Sequence, residues 1–300
     1  MAGFCENRVV AVTGAGRGIG RAEAIAFAEC GAQVVVNNRS QARADETVDV
    51  IRGAGGVAVA HVGDVSEMAV AEGLLRCAIE NFGRLDVLVN NAGIVRDRML
   101  VNMTEDEWDD AIRVNLRGTF TTMRTCAGYW RERSRTETVN AAIINTTSAA
   151  GLYRNVGQTN YAAAKAGIAS MTIVAADELA RYGVTVNAIA PAAATDMSEH
   201  LISPAIRFDG DFDIYAPENI APVVVWLGSI AGRGVTGRVF DVKGGRVAVA
   251  EGWRLGPQLD LYRKWDVAEI GDSIDELVKR ARPNATVDGV DPAPAAERAE

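Results

Sequence analysis

Apolar residues along this chain occur in two patterns, as short continuous runs and as longer segments with helical spacing. The helical segments lie near 18–30, 41–53, 66–82, 104–134, 159–182 and 217–229. Seven short runs rich in Val, Ile and Ala alternate with them: "RVVAVTG", "QVVVNN", "VAVAHVGD", "RLDVLVNNAG", "AAIINTTS", "VTVNAIAP" and "RVFDVKGG". Continuous apolar strands need cover on both faces, so the alternation predicts an α/β fold with a parallel sheet between two layers of helices.

Some stretches depart from this rhythm. The polar segment 131–140 predicts a surface loop, and 192–216 has no clean period and lies where a substrate lid would sit. One domain is expected over 1–250, followed by an extension at 251–281 that contains a helix. The composition of 282–300, rich in Pro, Ala and charge, predicts a disordered tail.

Composition excludes several classes of protein. The net charge of −8 and the lack of a basic cluster argue against nucleic-acid binding. No apolar run reaches the roughly 18 residues of a membrane helix, and the first ten residues lack the pattern of a signal peptide. The four cysteines and two histidines are far apart in sequence, which predicts no metal site, no disulfide framework and a cytoplasmic protein.

The segment "TGAGRGIG" at 13–20 joins the first strand to the first helix. Gly14, Gly18 and Gly20 permit a tight turn and a close approach of backbone to a pyrophosphate, and Ile19 lies among them. The helix then presents free N–H groups and a partial positive charge to that pyrophosphate. A glycine-rich turn without a ligand is the alternative, but the strand–turn–helix context favours a dinucleotide site.

The residue at the end of the second strand determines whether a site of this kind prefers NAD or NADP. An acid there would accept from the ribose 2′-OH of NAD and repel the 2′-phosphate of NADP. Asn38 occupies that position and Arg39 follows, so with Arg17 the sequence leans towards NADP unless both arginines are only solvated surface residues. Asp64 ends the third strand, where it can meet the adenine amino group or cap the next helix, and Val65 follows it.

Tyr161 and Lys165, in "TNYAAAKAG", lie four residues apart and share one face of a predicted helix. The pKa of a free tyrosine is about 10. A neighbouring ammonium group lowers that pKa, which would make Tyr161 a usable general acid/base. Ser148 ends the fifth strand and can hydrogen-bond a reacting oxygen. Alone, these residues could be an exposed pair and a helix cap, but together with the glycine turn and "NNAG" at 90–93 they favour catalysis.

In this order and spacing, the motifs resemble those of the short-chain dehydrogenase/reductase (SDR) family over about residues 5–245. The resemblance implies a Rossmann-type sheet of seven parallel strands, in the order 3-2-1-4-5-6-7, with both sites in one domain. It implies a catalytic tetrad of Asn115, Ser148, Tyr161 and Lys165. The cofactor contacts it implies are Gly14, Arg17, Gly18, Ile19, Gly20, Asn38, Arg39, Asp64, Val65, Asn91, Ala92, Gly93, Tyr161, Lys165, Pro191 and Thr195.

Two roles follow from the resemblance alone. Asn115 would hold a water that links Lys165 to solvent, and Thr195, with the segment at Pro191, would contact the nicotinamide carboxamide. Ala192 departs from the family, which usually has Gly after that proline. Alanine should fit there unless the backbone requires a positive φ.

The segments 92–100, 106–120 and 151–167 are similar to those of (3R)-hydroxyacyl-CoA dehydrogenases and 3-oxoacyl-ACP reductases. This implies an NAD(P)-dependent oxidoreductase acting on an acyl thioester, working as a homodimer or homotetramer. A hydroxysteroid or other alicyclic alcohol dehydrogenase is the alternative, and a non-catalytic dinucleotide sensor is a remote one, because it would not need the Tyr161–Lys165 pair. NAD-using hydroxyacyl-CoA enzymes normally keep the acid that Asn38 replaces, so the cofactor and substrate interpretations conflict.

Overall fold

The computed structural model describes residues 3–196 and 204–292. Its strands are β1 Val9–Val12, β2 Gln33–Asn38, β3 Val57–Val62, β4 Val87–Asn90, β5 Ala141–Thr146, β6 Val184–Ala192, β7 Phe208–Asp209, β8 Phe212–Asp213, β9 Val239–Lys243 and β10 Arg246–Ala250. Its helices are α1 Gly18–Glu29, α2 Gln41–Gly53, α3 Met68–Phe82, α4 Glu105–Ala111, α5 Gly118–Arg133, α6 Ala149–Leu152, α7 Thr159–Leu179, α8 Pro204–Arg207, α9 Ala221–Gly228 and α10 Val267–Arg280.

One sheet runs in the order β3-β2-β1-β4-β5-β6-β9-β10. All its neighbours pair in parallel except β9 and β10, which form an antiparallel hairpin. The predicted α/β fold and strand order are confirmed, with β9 as the seventh strand. The eighth strand, β10, was not predicted because its side chains are largely exposed and its run "RVAVA" continues directly from the glycine pair that makes the hairpin turn.

The sheet separates two apolar cores. Val10 and Val12 of β1 point to one core, where they join Phe27 of α1. Val9 of β1 points to the other core, which contains the fully buried Trp130 of α5. Successive side chains of a strand alternate between faces, so the continuous apolar run of β1 supplies both cores at once.

The predicted helix near 104–134 is interrupted. Between α4 and α5 the backbone forms a π-helical segment, Ile112–Arg117, which contains Asn115. Here side chains bind backbone carbonyl groups: the Asn115 amide donates to Ala111 O at 2.9 Å and the Thr119 hydroxyl donates to Asn115 O at 2.9 Å. A single-turn π-helical segment inside a helix is frequently found at functional sites.

The segments outside the regular rhythm are partly described. Of 192–216, residues 197–203 lie outside the described residues. Of the expected disordered tail, residues 282–292 are described and form a turn closed by hydrogen bonds from Thr286 N to Val290 O and from Gly289 N to Thr286 O, while residues 293–300 lie outside. No helix within the described ranges is both long and apolar enough to span a membrane.

Candidate active site

The glycine turn forms a cradle in which side chains have no room. Gly14 has a φ of +66°, and a Cβ added there would lie 2.8 Å from Ala92 Cα. Gly18 has a φ of +54°, and its Cβ would lie 3.2 Å from Thr195 Cγ2. The N-cap of α1, Arg17, makes no side-chain capping hydrogen bond. This end of α1 therefore presents backbone N–H groups to a cleft shaped for an extended anionic ligand.

That cleft is lined by most of the predicted cofactor contacts, namely Gly14, Arg17, Gly18, Ile19, Asn38, Arg39, Asp64, Val65, Asn91, Ala92, Gly93 and Thr195. Gly20 lies outside the lining, because it packs on the other side of the turn against the Asn91 amide. Pro191 lies within β6, and Tyr161 and Lys165 lie on α7. The cleft also contains residues that sequence reasoning missed: Asn37, Ser40, Arg43, Gly63, Ile94, Val114 and Asp196.

The end of β2 brings cations together at one end of the cleft. Arg39 and Arg43 are exposed there, beside Asn38. Asn38 Oδ1 accepts a hydrogen bond from Ser40 N at 2.9 Å, and the Ser40 hydroxyl caps the first turn of α2. Arg43 could have been found from that serine, because an N-cap at Ser40 places residue 43 in the first turn of α2, facing the same loop. Arg17 is paired with Asp196.

Asp64 serves both interpretations offered by the sequence. It lines the cleft, and its Oδ1 accepts from Ser66 N at 3.0 Å in the turn before α3. Its Oδ2 pairs with the Arg113 guanidinium at 2.9 Å. Partial burial opposes ionisation, but the hydrogen bonds from Ser66 and Arg113 outweigh it and lower the pKa of Asp64. The carboxylate is therefore ionised and held in place at the edge of the cleft.

Asn91 joins two strands, as the sequence predicts. Its amide donates to Thr13 O at 3.0 Å and to Gly14 O at 3.3 Å, and so ties the end of β4 to the end of β1. Ala92 N donates to the Thr13 hydroxyl at 3.1 Å. These bonds fix the floor of the cleft, with small residues where a ligand would lie closest. Ala192 has no positive φ, so alanine fits where the family usually has glycine.

Ser148 and Tyr161 face each other beyond the cleft. The two side chains interact, because burial raises the pKa of Tyr161 while the Ser148 hydroxyl acts to lower it. The Ser148 hydroxyl also accepts from Ala150 N at 3.2 Å, so Ser148 caps α6 and faces Tyr161 at once. α6 packs on α7, and Gly151 is what permits this, because a Cβ there would lie 2.7 Å from Lys165 Cβ.

Lys165 is 2% exposed and lies between the cleft and Tyr161. Its Nζ donates to Thr146 O at 2.7 Å and lies 5.5 Å from the centre of the Tyr161 ring. A Cβ built on Gly93 would lie 3.6 Å from Lys165 Nζ and 2.6 Å from Asn115 Oδ1. The absence of a side chain at Gly93 is therefore what leaves Asn115 and Lys165 on either side of a narrow gap.

Proton affinities in the site differ from the sequence expectation. Burial raises the pKa of Tyr161 to about 12, against which the hydrogen bond from Ser148 acts, and the Asp97 carboxylate raises it further. Burial lowers the pKa of Lys165 to about 7. The expected lowering of the Tyr161 pKa by Lys165 is therefore wrong for this structure, because desolvation by burial is the largest cause of both shifts.

A hydrogen-bonded clamp, which sequence reasoning missed, holds the start of α7. The Gln158 amide donates to both oxygens of Asp97, at 3.0 and 2.9 Å, and Arg98 N donates to Gly157 O at 2.7 Å. The fully buried Asn160 donates to Arg96 O at 3.0 Å and to the Glu107 carbonyl at 2.9 Å. These contacts anchor Tyr161 to the loop after β4. They join residues about 60 positions apart, so no local sequence pattern predicts them.

Comparison with known proteins agrees with the geometry of the site. Residues 8–204 match the family described as short chain dehydrogenase. The chain is 45% identical to the hydroxyacyl-CoA dehydrogenase ChsB1 of Mycobacterium tuberculosis over 252 residues, which is 81% of this chain and 79% of that protein. It is 41% identical to the 3-oxoacyl-[acyl-carrier-protein] reductase of a Synechocystis species, covering 80% of this chain and 97% of that one.

A solved structure agrees. The crystal structure of a short chain dehydrogenase from Mycobacterium avium superposes with a TM-score of 0.87 and 50% identity, covering 97% of this chain and 100% of that one. The chain therefore belongs to the short-chain dehydrogenase/reductase family and is an oxidoreductase that acts on CH–OH groups with NAD(P).

Proposed function

We propose that this enzyme interconverts a 3-oxoacyl thioester and the corresponding 3-hydroxyacyl thioester, with coenzyme A or acyl carrier protein as the thiol. The observation that carries the reaction chemistry is the interacting pair of Ser148 and Tyr161 beside the buried Lys165, at the carboxyl end of β5. The thioester rests on the names of two relatives, a hydroxyacyl-CoA dehydrogenase and a 3-oxoacyl-[acyl-carrier-protein] reductase. Both names describe chemistry at the same carbon, β to a thioester.

In the proposed mechanism, Ser148 and Tyr161 bind the substrate oxygen between them. Tyr161 donates its proton to that oxygen during reduction and accepts it back during oxidation. A phenol with a raised pKa is fully protonated near neutral pH, which suits the donor role. Lys165 has a pKa of about 7, so it can give up a proton and take one back near neutrality, and we assign it to restore the proton of Tyr161.

Asn115 completes the relay as a positioning residue. Its amide is held by Ile94 O and Ala111 O, each at 2.9 Å, and its Oδ1 faces the Gly93 gap next to Lys165. A water in that gap would connect Lys165 to solvent. The π-helical segment that carries Asn115 places this side chain at the gap.

The cradle at Gly14 and Gly18 fits the pyrophosphate of a dinucleotide, because it offers backbone N–H groups where any Cβ would intrude. The bound nicotinamide cofactor supplies the hydride. We propose that the cofactor is NADP rather than NAD. Arg39 and Arg43 lie beside Asn38, at the positive end of α2, where they can bind a 2′-phosphate. The residue at position 38 is an asparagine and not an acid, so it does not repel that phosphate. Arg17 can contribute once it leaves Asp196.

We propose that the enzyme is a homodimer or homotetramer assembled through α5 and α7. Phe120 and Val174 on these helices are 47% and 53% exposed, respectively, and border one broad groove. Ile173, next to Val174, is 43% exposed. Apolar side chains exposed side by side on two adjacent helices favour burial against a second copy. All four cysteines are unpaired in the structure, which supports our assignment of the enzyme to the reducing cytoplasm.

A panel of ketones tests the substrate, and fluorescence titration tests the cofactor. Acetoacetyl-CoA, its acyl-carrier-protein analogue and a steroid ketone are each offered with NADPH and with NADH. We expect turnover of a thioester, and tighter binding of NADPH than of NADH. Turnover of the steroid alone would replace the thioester by a ring ketone, and a clear preference for NADH would show that Asn38 accepts the bare ribose.

A further inference from the structure

The C-terminal segment returns to the catalytic end of the sheet. The turn Thr286–Val290 is closed by its own backbone hydrogen bonds, each 2.8–2.9 Å, and by the Thr286 hydroxyl, which donates to Val290 O at 3.2 Å. Gly289 sits in this turn with a φ of +74°, directly against the ring of Tyr153. A Cβ at Gly289 would lie 2.8 Å from Tyr153 Cζ and 3.1 Å from its hydroxyl. We call this turn, residues 286–290, the tail turn.

Tyr153 connects the tail turn to the catalytic residues. It follows α6, the single helical turn that Ser148 caps, so Ser148 and Tyr153 lie at opposite ends of α6. α6 in turn packs on α7 next to Lys165. The tail turn is therefore one side chain and one helical turn away from the Ser148 hydroxyl.

An electrostatic interaction also places the tail turn near β9, one of the last strands of the sheet. Asp288 is close enough to Asp241 of β9 to oppose its ionisation, although burial is the larger cause of the raised Asp241 pKa. Asp241 pairs in register with Ala190, next to Pro191, and forms an ion pair with Arg246 at 2.8 Å. Both Tyr153 and Asp241 thus contribute to the surface on which the tail turn lies.

The order of strands separates the two sides of the site. The nucleotide cleft lies over β2, β1 and β4, and Ser148 follows β5. The tail turn lies on the opposite side of Ser148, against Tyr153 and near Asp241 of β9. A substrate whose carbonyl lies at Ser148 and Tyr161 must extend to the side that the cofactor does not fill, which is the side where the tail turn stands.

We propose that the tail turn, seated on Tyr153, is a wall of the substrate site that limits the size of the acyl group. This proposal rests on the proposed function for its substrate class. Tyr153 is the specificity-determining residue on the enzyme core, and Gly289 is the residue whose missing side chain lets the tail turn close on it.

Two truncations test the wall. One chain ends after Ala281, which removes the tail turn and keeps α10, and its matched control ends after Pro292, which keeps both. We expect the ratio of kcat/KM for 3-oxododecanoyl-CoA to that for acetoacetyl-CoA to be about tenfold higher in the shorter chain. NAD(P)H binding should be equal in the two chains, because the cofactor cleft is on the other side. An unchanged ratio overturns the proposal.

A point substitution makes the same test without shortening the chain. Gly289→Val puts a branched side chain where the Tyr153 ring now lies, at a φ that valine does not tolerate, and should lift the turn. Gly271→Val is the control, because Gly271 lies on α10 with nothing within 4 Å of its Cβ position. We expect the substrate ratio to rise in the first variant only; an equal rise in both would assign the effect to the extension as a whole and overturn the wall.

Hydrogen exchange separates this proposal from the proposed function. The peptide 149–158 should exchange faster in the chain ending at Ala281 than in the chain ending at Pro292. If neither of the two chains turns over any thioester, the proposed function fails, and the exchange rates still decide whether the tail turn covers Tyr153. Equal exchange in both chains overturns the wall whatever the substrate is.

Discussion

The nucleotide cleft and the catalytic pocket behind it are built differently. The cleft is formed largely by backbone: glycines at Gly14 and Gly18 leave room, and the first turn of α1 offers N–H groups. The pocket is formed by long side chains, Tyr161 and Lys165, which are held in low-dielectric surroundings. The cleft binds its ligand because glycines leave room for it, whereas the pocket is reactive because its ionisable side chains are buried.

This difference explains why the two regions respond differently to their surroundings. A backbone cradle keeps its hydrogen-bonding groups at any pH. Buried ionisable groups change their proton affinity with each neighbour, as the pKa values of about 12 for Tyr161 and about 7 for Lys165 show. We therefore expect substitutions in the pocket to act on turnover and pH dependence, and substitutions in the cleft to act on cofactor affinity.

The largest expected effect is on turnover. Tyr161→Phe removes the hydroxyl that exchanges a proton with the substrate oxygen in the mechanism above, and should lower kcat by a factor of about 10³. The dissociation constant of NAD(P)H should stay within about twofold, since the phenol is not part of the cleft lining. Tyr182→Phe, three residues beyond the end of α7, is the control. Retained activity in Tyr161→Phe would overturn the role given to the pair.

A buried acid on α1 gives the next largest effect, this time on stability. Glu23 is 0% exposed, neither carboxyl oxygen has a hydrogen-bond partner among the described residues, and burial raises its pKa from 4.5 to about 8. The folded state therefore holds this proton up to a higher pH than the unfolded state does. The contribution of Glu23 to stability is most favourable below about pH 4.5, falls as the pH rises to about 8, and stays low above that.

Glu23→Gln should remove this pH dependence. Above about pH 8, the buried carboxylate destabilises the parent by about 5 kcal/mol, since its pKa rises from 4.5 to about 8 and each pKa unit corresponds to about 1.4 kcal/mol. Burial of the unpartnered amide in the variant costs about 2 kcal/mol, so the variant should be more stable than the parent by about 3 kcal/mol. Glu29→Gln, exposed on the same helix, should change little. Denaturant unfolding at several pH values measures the difference, and parallel stability curves for the parent and Glu23→Gln would contradict the explanation.

The cradle gives a smaller effect on affinity. Gly14→Ala places a Cβ 2.8 Å from the Ala92 backbone at a φ of +66°, and should weaken NAD(P)H binding about 100-fold through steric and backbone strain. Gly53→Ala on α2 has nothing within 4 Å and should leave binding unchanged. If both variants bind alike, the cradle is not a close-contact surface.

The smallest effect sharpens the cofactor choice within the cleft. Arg39→Ala should raise the dissociation constant of NADPH about fivefold, because an exposed arginine contributes about 1 kcal/mol to a phosphate contact. The dissociation constant of NADH should not change. Arg135→Ala, on the loop after α5, is the control. An equal loss for both cofactors would mean that Arg39 acts through net charge rather than at the 2′-phosphate.

The sequence predicted the parts of the molecule that local rules govern. Glycines and apolar runs predicted the cradle and the strands, and four-residue spacing placed Tyr161 and Lys165 on one face of α7. The order of the strands came from the resemblance to the family. The sequence did not predict the features that depend on contacts between distant segments. The clamp from Gln158 to Asp97, the pairing of Arg113 with Asp64 and the seat of Gly289 on Tyr153 each join distant segments. The pKa directions also needed the structure, because burial outweighed the attraction that sequence spacing suggested.

The position of α9 has a consequence for how this protein is made. The apolar side of α1, with Phe27, is covered by α9, whose Leu227 belongs to the same core. At about 5–20 residues per second, a ribosome needs roughly 10–40 seconds to pass from one to the other. Likewise, β1 cannot pair with its second neighbouring strand, β4, until Val87 has been synthesised. Until α9 is synthesised the nascent chain therefore exposes the apolar side of α1, and chains that stop before α9 should aggregate while chains that stop after β10 should fold.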